Sequence, residues 1–152
     1  MKPYSELRIA LASDHAGYNL KQNVISYLTD KGATTHDFGC YSTESCDYPD
    51  FAHPMASAVE KGEYDFGITI CSTGNGICMT ANKHQGIRAA LCWDIPLARL
   101  ARQHNNANVL GLPANFISEQ LALQLVETFF TTDFEGGRHL RRINKIPVNN
   151  AE

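Results

Sequence analysis

The sequence predicts an α/β fold: a three-layer, Rossmann-like sandwich with a five-stranded parallel sheet and helices on both faces. Three observations predict it. Short apolar runs alternate with segments of helical period, no apolar run approaches membrane-spanning length, and no internal repeat, low-complexity tract or linker interrupts the alternation. Strands separated by helices imply right-handed crossovers, each of which lays its helix on the sheet.

Leu7 to Ala12 reads as a buried strand. After it, Leu20, Val24, Tyr27 and Leu28 recur on one face of a helix that stops at Gly32. Thr34 to Phe38 is a second strand, Phe51 to Lys61 a helix, and Tyr64 to Ile70 a third strand ending at Cys71. Ile77 to Lys83 is a short helix and Arg88 to Cys92 a strand. Ile95 to His104 is a helix with Asp94 as its N-cap, because a carboxylate there accepts from the free amides of the first turn. Val109 to Leu112 is the last strand and Ser118 to Phe130 a long closing helix. At 152 residues the chain reads as a single domain, 1–152, large enough to bury a core without disulfide or metal staples.

Thirteen Lys+Arg against 16 Asp+Glu give a formal charge of −3 with no basic run except "GGRHLRR", so neither a nucleic-acid nor a membrane surface is expected. Five cysteines at irregular spacing, behind an opening without a charged-then-apolar leader, argue for reduced thiols in a cytoplasm. No CxxC or HxxxH pair occurs, so no metal is expected.

Ligands of open α/β sheets bind outside the carboxyl ends of the strands. That rule gathers "SDH" (Ser13, Asp14, His15), the long loop Gly39 to Pro49 with Asp47 and Tyr48, and "CSTGNG" at one edge. A glycine-rich loop entering a helix aims N–H groups at negative charge. Phosphate is one occupant of such a loop, and a transient oxyanion is the other. A thiol beside the loop favours the second, since a base that takes a proton from carbon needs the resulting oxyanion stabilised. The loop has neither GxGxxG nor GxxxxGK[ST] spacing, which removes the dinucleotide and P-loop readings. Cys71 alone would more often be a small core residue, and Cys40, Cys46, Cys78 and Cys92 are read that way. His15 reads equally as a helix-start residue, Tyr48 as a rim aromatic, and Arg138 with Arg142 as a solvated basic turn.

The ordered combination "SDHAG", "DYPDFA", "CSTGNGICMTANK", "GIRAAL", "RQHNNANVL" and "FEGGRHLRRI" resembles the ribose-5-phosphate isomerase type B family, which includes the galactose-6-phosphate isomerase subunits. The resemblance runs from Arg8 to about Ile143. It implies a cofactor-free aldose–ketose isomerase acting on a phosphorylated sugar through an enediolate. Cys71 matches the family's general base, and Ser72, Thr73, Gly74, Asn75 and Gly76 the enediolate-binding loop, with the Thr73 hydroxyl near the reacting oxygens. His104 matches the histidine assisting ring opening and Asn105 a substrate contact. Asp14 and Tyr48 match sugar contacts, and His15, Arg138 and Arg142 the phosphate clamp.

His104 ends a helix that starts at the carboxyl edge, about ten residues or roughly 15 Å away from its own Cys71, so it is either a structural histidine favoured by the dipole at the helix end or a residue that enters a neighbouring subunit's pocket. With the family match, this implies a site shared across a two-fold homodimer, alone or as a dimer of dimers. His104, Asn105, Arg138 and Arg142 would then enter the partner's pocket, with the helical segment 136–146 against the partner. Three positions depart from the family's pattern: Ser72 for glycine, Ile77 where another branch carries glutamate, and Asn115 where many members place an arginine. The histidine in "RQHNNAN" favours a pentose phosphate. A hexose-6-phosphate isomerase and a non-catalytic sugar-phosphate-binding module are the alternatives.

Overall fold

The computed structural model describes residues 1–148. After a single 3-10 turn at Tyr4–Glu6 the chain runs β1 (Arg8–Ser13), α1 (Tyr18–Asp30), β2 (Thr34–Asp37), α2 (Tyr48–Glu60) and β3 (Phe66–Cys71). It continues through α3 (Asn75–Ala81), β4 (Ala89–Leu91), α4 (Ile95–Asn105), β5 (Val109–Pro113), α5 (Glu119–Phe130) and α6 (Arg138–Ile143). The five strands form one sheet in the order β2-β1-β3-β5-β4, and every pairing is parallel. The expected fold class is therefore the observed one.

Alternation along β1 divides the core. Ile9 and Leu11 face one side, where Val24 and Leu28 of α1, Ala98 and Ala101 of α4, and Leu125 and Phe129 of α5 cover them. Ala10 and Ala12 face the other side, under Met55, Ala56 and Val59 of α2 and Ala81 of α3. Small residues on that second face let α2 lie close. A methyl added at Gly67 would stand 2.6 Å from the Met55 sulfur and would have to push that side chain aside. Full burial of both faces explains why β5 reads as a continuous apolar run and why Thr69 of β3 is buried with its apolar neighbours.

The chain leaves β1 toward β2 and returns past it to β3, so the loops after β1 and β3 diverge from neighbouring strands, paired through Ser13 and Ile70. This is the point of an open sheet at which a crevice forms. At the opposite edge Asp65 accepts from the Arg8 amide at 2.9 Å and pairs with the Arg8 guanidinium at 3.2 Å and with Lys2 Nζ at 3.1 Å. Burial alone would raise its carboxyl, but these donors hold it at about 2.

Two structural differences matter for the site. Helix α2 begins at Tyr48 rather than Phe51, because Asp47 takes an extended N-cap conformation and Pro49 occupies the first turn, where a missing N–H costs nothing. Tyr48 is thus anchored on a helix and is not a loop-rim residue. Helix α6 spans only Arg138–Ile143, short of the expected 136–146, because Gly136 and Gly137 both adopt positive φ (68° and 59°) and reverse the chain before it. No helix among the described residues is long and apolar enough to cross a membrane.

Candidate active site

Strand β3 ends in Cys71, which is buried among Tyr48, Ala52 and Ile77. The chain then has to turn from a strand into α3 within three residues, and Gly74 makes that turn at φ +75°. Its amide donates to Cys71 Sγ at 3.2 Å, so the sulfur sits against a main-chain donor. Ala114 N and Asn115 N close over the other side, donating to the carbonyls of Cys71 and Ser72 at 2.9 and 3.1 Å. Among the described residues no hydrogen bond engages the amides of Ser72 and Thr73. Thr73 Oγ1 accepts from Asn75 N at 3.2 Å, which leaves its hydroxyl proton free to donate outward. Thiol and loop therefore lie side by side at the carboxyl end of β3.

Asp14, at the end of β1, is 7% exposed and accepts from Gly17 N at 3.1 Å. Gly17 itself is obligatory, since a Cβ would lie 2.4 Å from the Ile70 carbonyl. His15 Nδ1 accepts from Cys46 N at 3.3 Å, so in the neutral ring Nε2 carries the proton and offers a donor. Asp14, His15, Asp47 and Tyr48 line a cavity of about 450 Å³. Tyr48 packs against the cradle so tightly that a Cβ on Gly76 would meet its ring at 2.4 Å. Beyond the cradle, Thr73 and Asn75 share a second cleft of about 410 Å³ with Trp93, Pro113 and Phe116. Asp14, His15, Tyr48, Cys71 and Ser72 to Gly76 are thus brought together at the carboxyl edge of the sheet.

The sequence departures Ser72 and Asn115 prove to be one feature. Asn115 Nδ2 donates to Ser72 Oγ at 2.7 Å, bracing the cradle from the loop after β5. Ile77 is fully buried beneath the thiol. The thiols of Cys78 and Cys92 are pushed up by burial to about 11 and 12, which suits packing and not chemistry. Cys46 is raised too, by burial and by the neighbouring Cys40 thiol.

His104, Asn105, Arg138 and Arg142 lie elsewhere. His104 is in the last turn of α4, a region bound to the opposite edge: the Arg88 guanidinium donates to the carbonyls of Asn105 and Asn106 at 3.0 and 2.9 Å. Arg102, 4% exposed and lacking any carboxylate partner among the described residues, ties this helix end to Ala107 O at 2.6 Å and Thr132 O at 3.3 Å. Arg138 and Arg142 sit on α6 at the same pole, exposed and without an ion pair among the described residues. No single chain assembles all the candidate residues at one pole.

His139 is a feature the sequence reading missed. It is 6% exposed and its ring stacks on His104 at 4.2 Å between centroids and 13° between planes. Its Nε2 lies 3.5 Å from Glu135 Oε2, and the spacing of four residues between Glu135 and His139 is the signal that could have found it. His104, Glu135 and His139 place one ligand atom each within 4.8 Å of one another. The near-parallel rings nevertheless aim their lone pairs along separate planes, so one ion cannot lie in the plane of both.

A doubly wound sheet thus carries a thiol and a glycine-bearing loop at its switch point, with Asp14, His15 and Tyr48 beside them. The sequence profile described as Ribose/Galactose Isomerase matches residues 9–146. The ribose-5-phosphate isomerase B of Escherichia coli K12 is 42% identical over 139 residues, 91% of this chain and 93% of its own. The structure of a ribose 5-phosphate isomerase from Thermotoga maritima superposes with a TM-score of 0.92 at 51% identity, over 93% of this chain and 98% of that one. That of ribose-5-phosphate isomerase B from Mycoplasma genitalium, with bound ribulose-5-phosphate, gives 0.89 at 45% identity, over 93% and 94%. The chain belongs to the ribose/galactose isomerase family.

Proposed function

We propose that this protein interconverts ribose 5-phosphate and ribulose 5-phosphate through an enediolate, without a cofactor. The observation that carries the reading is the Cys71 sulfur, 3.2 Å from the Gly74 amide, at the head of a loop whose Ser72 and Thr73 amides bond to no acceptor among the described residues. The Mycoplasma relative with ribulose 5-phosphate bound supports the choice of substrate.

In the open-chain aldose, Cys71 as thiolate takes the C2 proton. The electron pair of that bond moves to form the C1–C2 double bond, and charge collects on the C1 oxygen. Loop donors and the Thr73 hydroxyl stabilise it, each contributing about 3–4 kcal/mol. The O2 proton passes to the C1 oxygen, and return of the proton from sulfur to C1 gives the ketose with Cys71 again a thiolate. Asp14 and Tyr48 hold the sugar hydroxyls, while His15 Nε2 supplies a donor to phosphate. His104, Asn105, Arg138 and Arg142 act on the partner subunit's pocket in a homodimer, His104 moving a proton at the ring oxygen and the two guanidiniums gripping phosphate. Exposed arginines at the pole opposite Cys71, unpaired among the described residues, support that division. Five free cysteines suit a reducing cytoplasm.

The test is a coupled assay of ketose formation from ribose 5-phosphate run beside allose 6-phosphate. Turnover of the pentose at least tenfold above the hexose supports the reading. Preference for the hexose would make the protein a hexose-6-phosphate isomerase, and no turnover of either sugar together with no solvent deuterium at C2 of either aldose would reduce it to a binding module.

A further inference from the structure

The pole bearing His104 holds a group with no role so far: a buried imidazole, His139, whose Nε2 alone among the buried side-chain polar atoms of the described residues has no hydrogen-bond partner. Resting on the isomerase reading above, we propose that His139 is a positioning residue for His104, a neutral aromatic platform that fixes the orientation in which His104 exchanges a proton with the sugar's ring oxygen.

The chain is built to bring these rings together. Glu135 N donates to Gln103 O at 3.0 Å, laying the segment before α6 along the end of α4. Gly136 and Gly137, both at positive φ, then reverse direction, and α6 starts with His139 tucked inward while Arg138 stays exposed. His104 is only half-buried, and its ring makes no hydrogen bond to any described residue. Face-to-face contact at 4.2 Å and 13° is therefore what limits its two side-chain torsions. Misplacing a proton-transfer group by about 1 Å can cost up to about a hundredfold in rate.

Charge makes the arrangement one-sided. The titratable and charged groups facing His139 are His104 from α4, and Glu135, Arg138 and Arg142 around α6. Burial first, then the positive charges of Arg138 and His104, hold its imidazole below the ordinary range, and Glu135 opposes them only in part. Two imidazolium rings in such a stack would repel, and of the two it is His104 that is the more exposed ring.

The experiment uses the full chain with His139→Ala, which removes the platform, and His139→Phe, which keeps a flat ring without ionisation. Ribose 5-phosphate presents a furanose ring, whereas ribulose 5-phosphate, with its C5 oxygen esterified, has none to open. The expected result is a fall in kcat of about tenfold on ribose 5-phosphate and twofold or less on ribulose 5-phosphate for His139→Ala, with His139→Phe restoring ribose 5-phosphate turnover to within about threefold. Equal losses on both sugars that follow a lowered Tm would overturn the proposal, leaving His139 a mere docking residue for α6. NMR of the His104 ring gives a readout independent of turnover: its proton resonances should move and sharpen in His139→Ala and not in His139→Phe. Resonances unchanged in His139→Ala would end the proposal. If wild type turns over neither sugar while the resonances move as expected, it is the isomerase reading that fails and not the contact.

Discussion

On the proposed mechanism, the chemistry at Cys71 depends on a sulfur that is nearly buried and yet faces a polar loop. Replacing it by serine preserves size and a proton-bearing atom but leaves an oxygen far too weakly acidic to serve as base. Cys71→Ser is expected to lower kcat by at least a hundredfold while ribulose 5-phosphate still binds, as read by steady-state kinetics beside calorimetric titration. Unchanged kcat would remove Cys71 from the reaction. Gly76 gives a second test at this scale. A methyl there meets the Tyr48 ring, so Gly76→Ala has to displace either the tyrosine or the start of α3. KM for the sugar phosphate should rise several-fold, with a smaller effect on melting; a wild-type KM would show that Tyr48 does not line the bound sugar. The thiol loop is legible in the sequence, because a run of adjacent residues folds into it. The bond from Asn115 to Ser72 is not, since 43 positions separate the partners and nothing local couples them.

Among the elements, β1 and β3 are joined at their amino ends by Arg8 and Asp65, far from the site. Asp65→Asn should cost about 1–2 kcal/mol of unfolding free energy, from a carboxyl held near 2 against an ordinary 3.8. Because the folded-state value is depressed, this stability is fully present above about pH 4 and is lost as pH falls toward about 2. Chemical denaturation of both proteins at pH 7 and pH 2.5 checks it: the difference should shrink at the lower pH, and a constant difference would contradict the linkage. Helix α5 offers a simpler case. Ser118 Oγ accepts from Leu121 N at 3.0 Å, so Ser118→Ala should cost about 1 kcal/mol in the same measurement without altering turnover. The beginning of α2 shows why boundaries are harder to read than elements. Pro49 looks like the end of a loop, but its fixed φ suits a first helical turn equally well, and only the packing of Tyr48 on Gly76 chooses between them.

For the whole molecule, the decisive observation is that Cys71 and His104 stand at opposite edges of one chain's sheet, and on the proposed reading each active site draws them from different subunits. Cys71→Ala and His104→Ala should each be nearly inactive on ribose 5-phosphate alone. After mixing under conditions that exchange subunits, heterodimers hold one site with both wild-type residues, and about a quarter of wild-type activity is expected from the statistics of random pairing. Failure to recover any turnover despite demonstrated exchange would place each active site within a single chain.

Residue patterning by itself determined the α/β class, the order of strands and helices, and the thiol loop at a strand's carboxyl end, since each is written in runs of neighbouring residues through periodicities of 2 and 3.6. The tertiary structure alone decided the strand order β2-β1-β3-β5-β4, the bracing of Ser72 by Asn115 and the stacking of His139 on His104. Those features arise where segments distant along the chain compete for the same space. Their outcome is settled by burial and close packing, which no local spacing records.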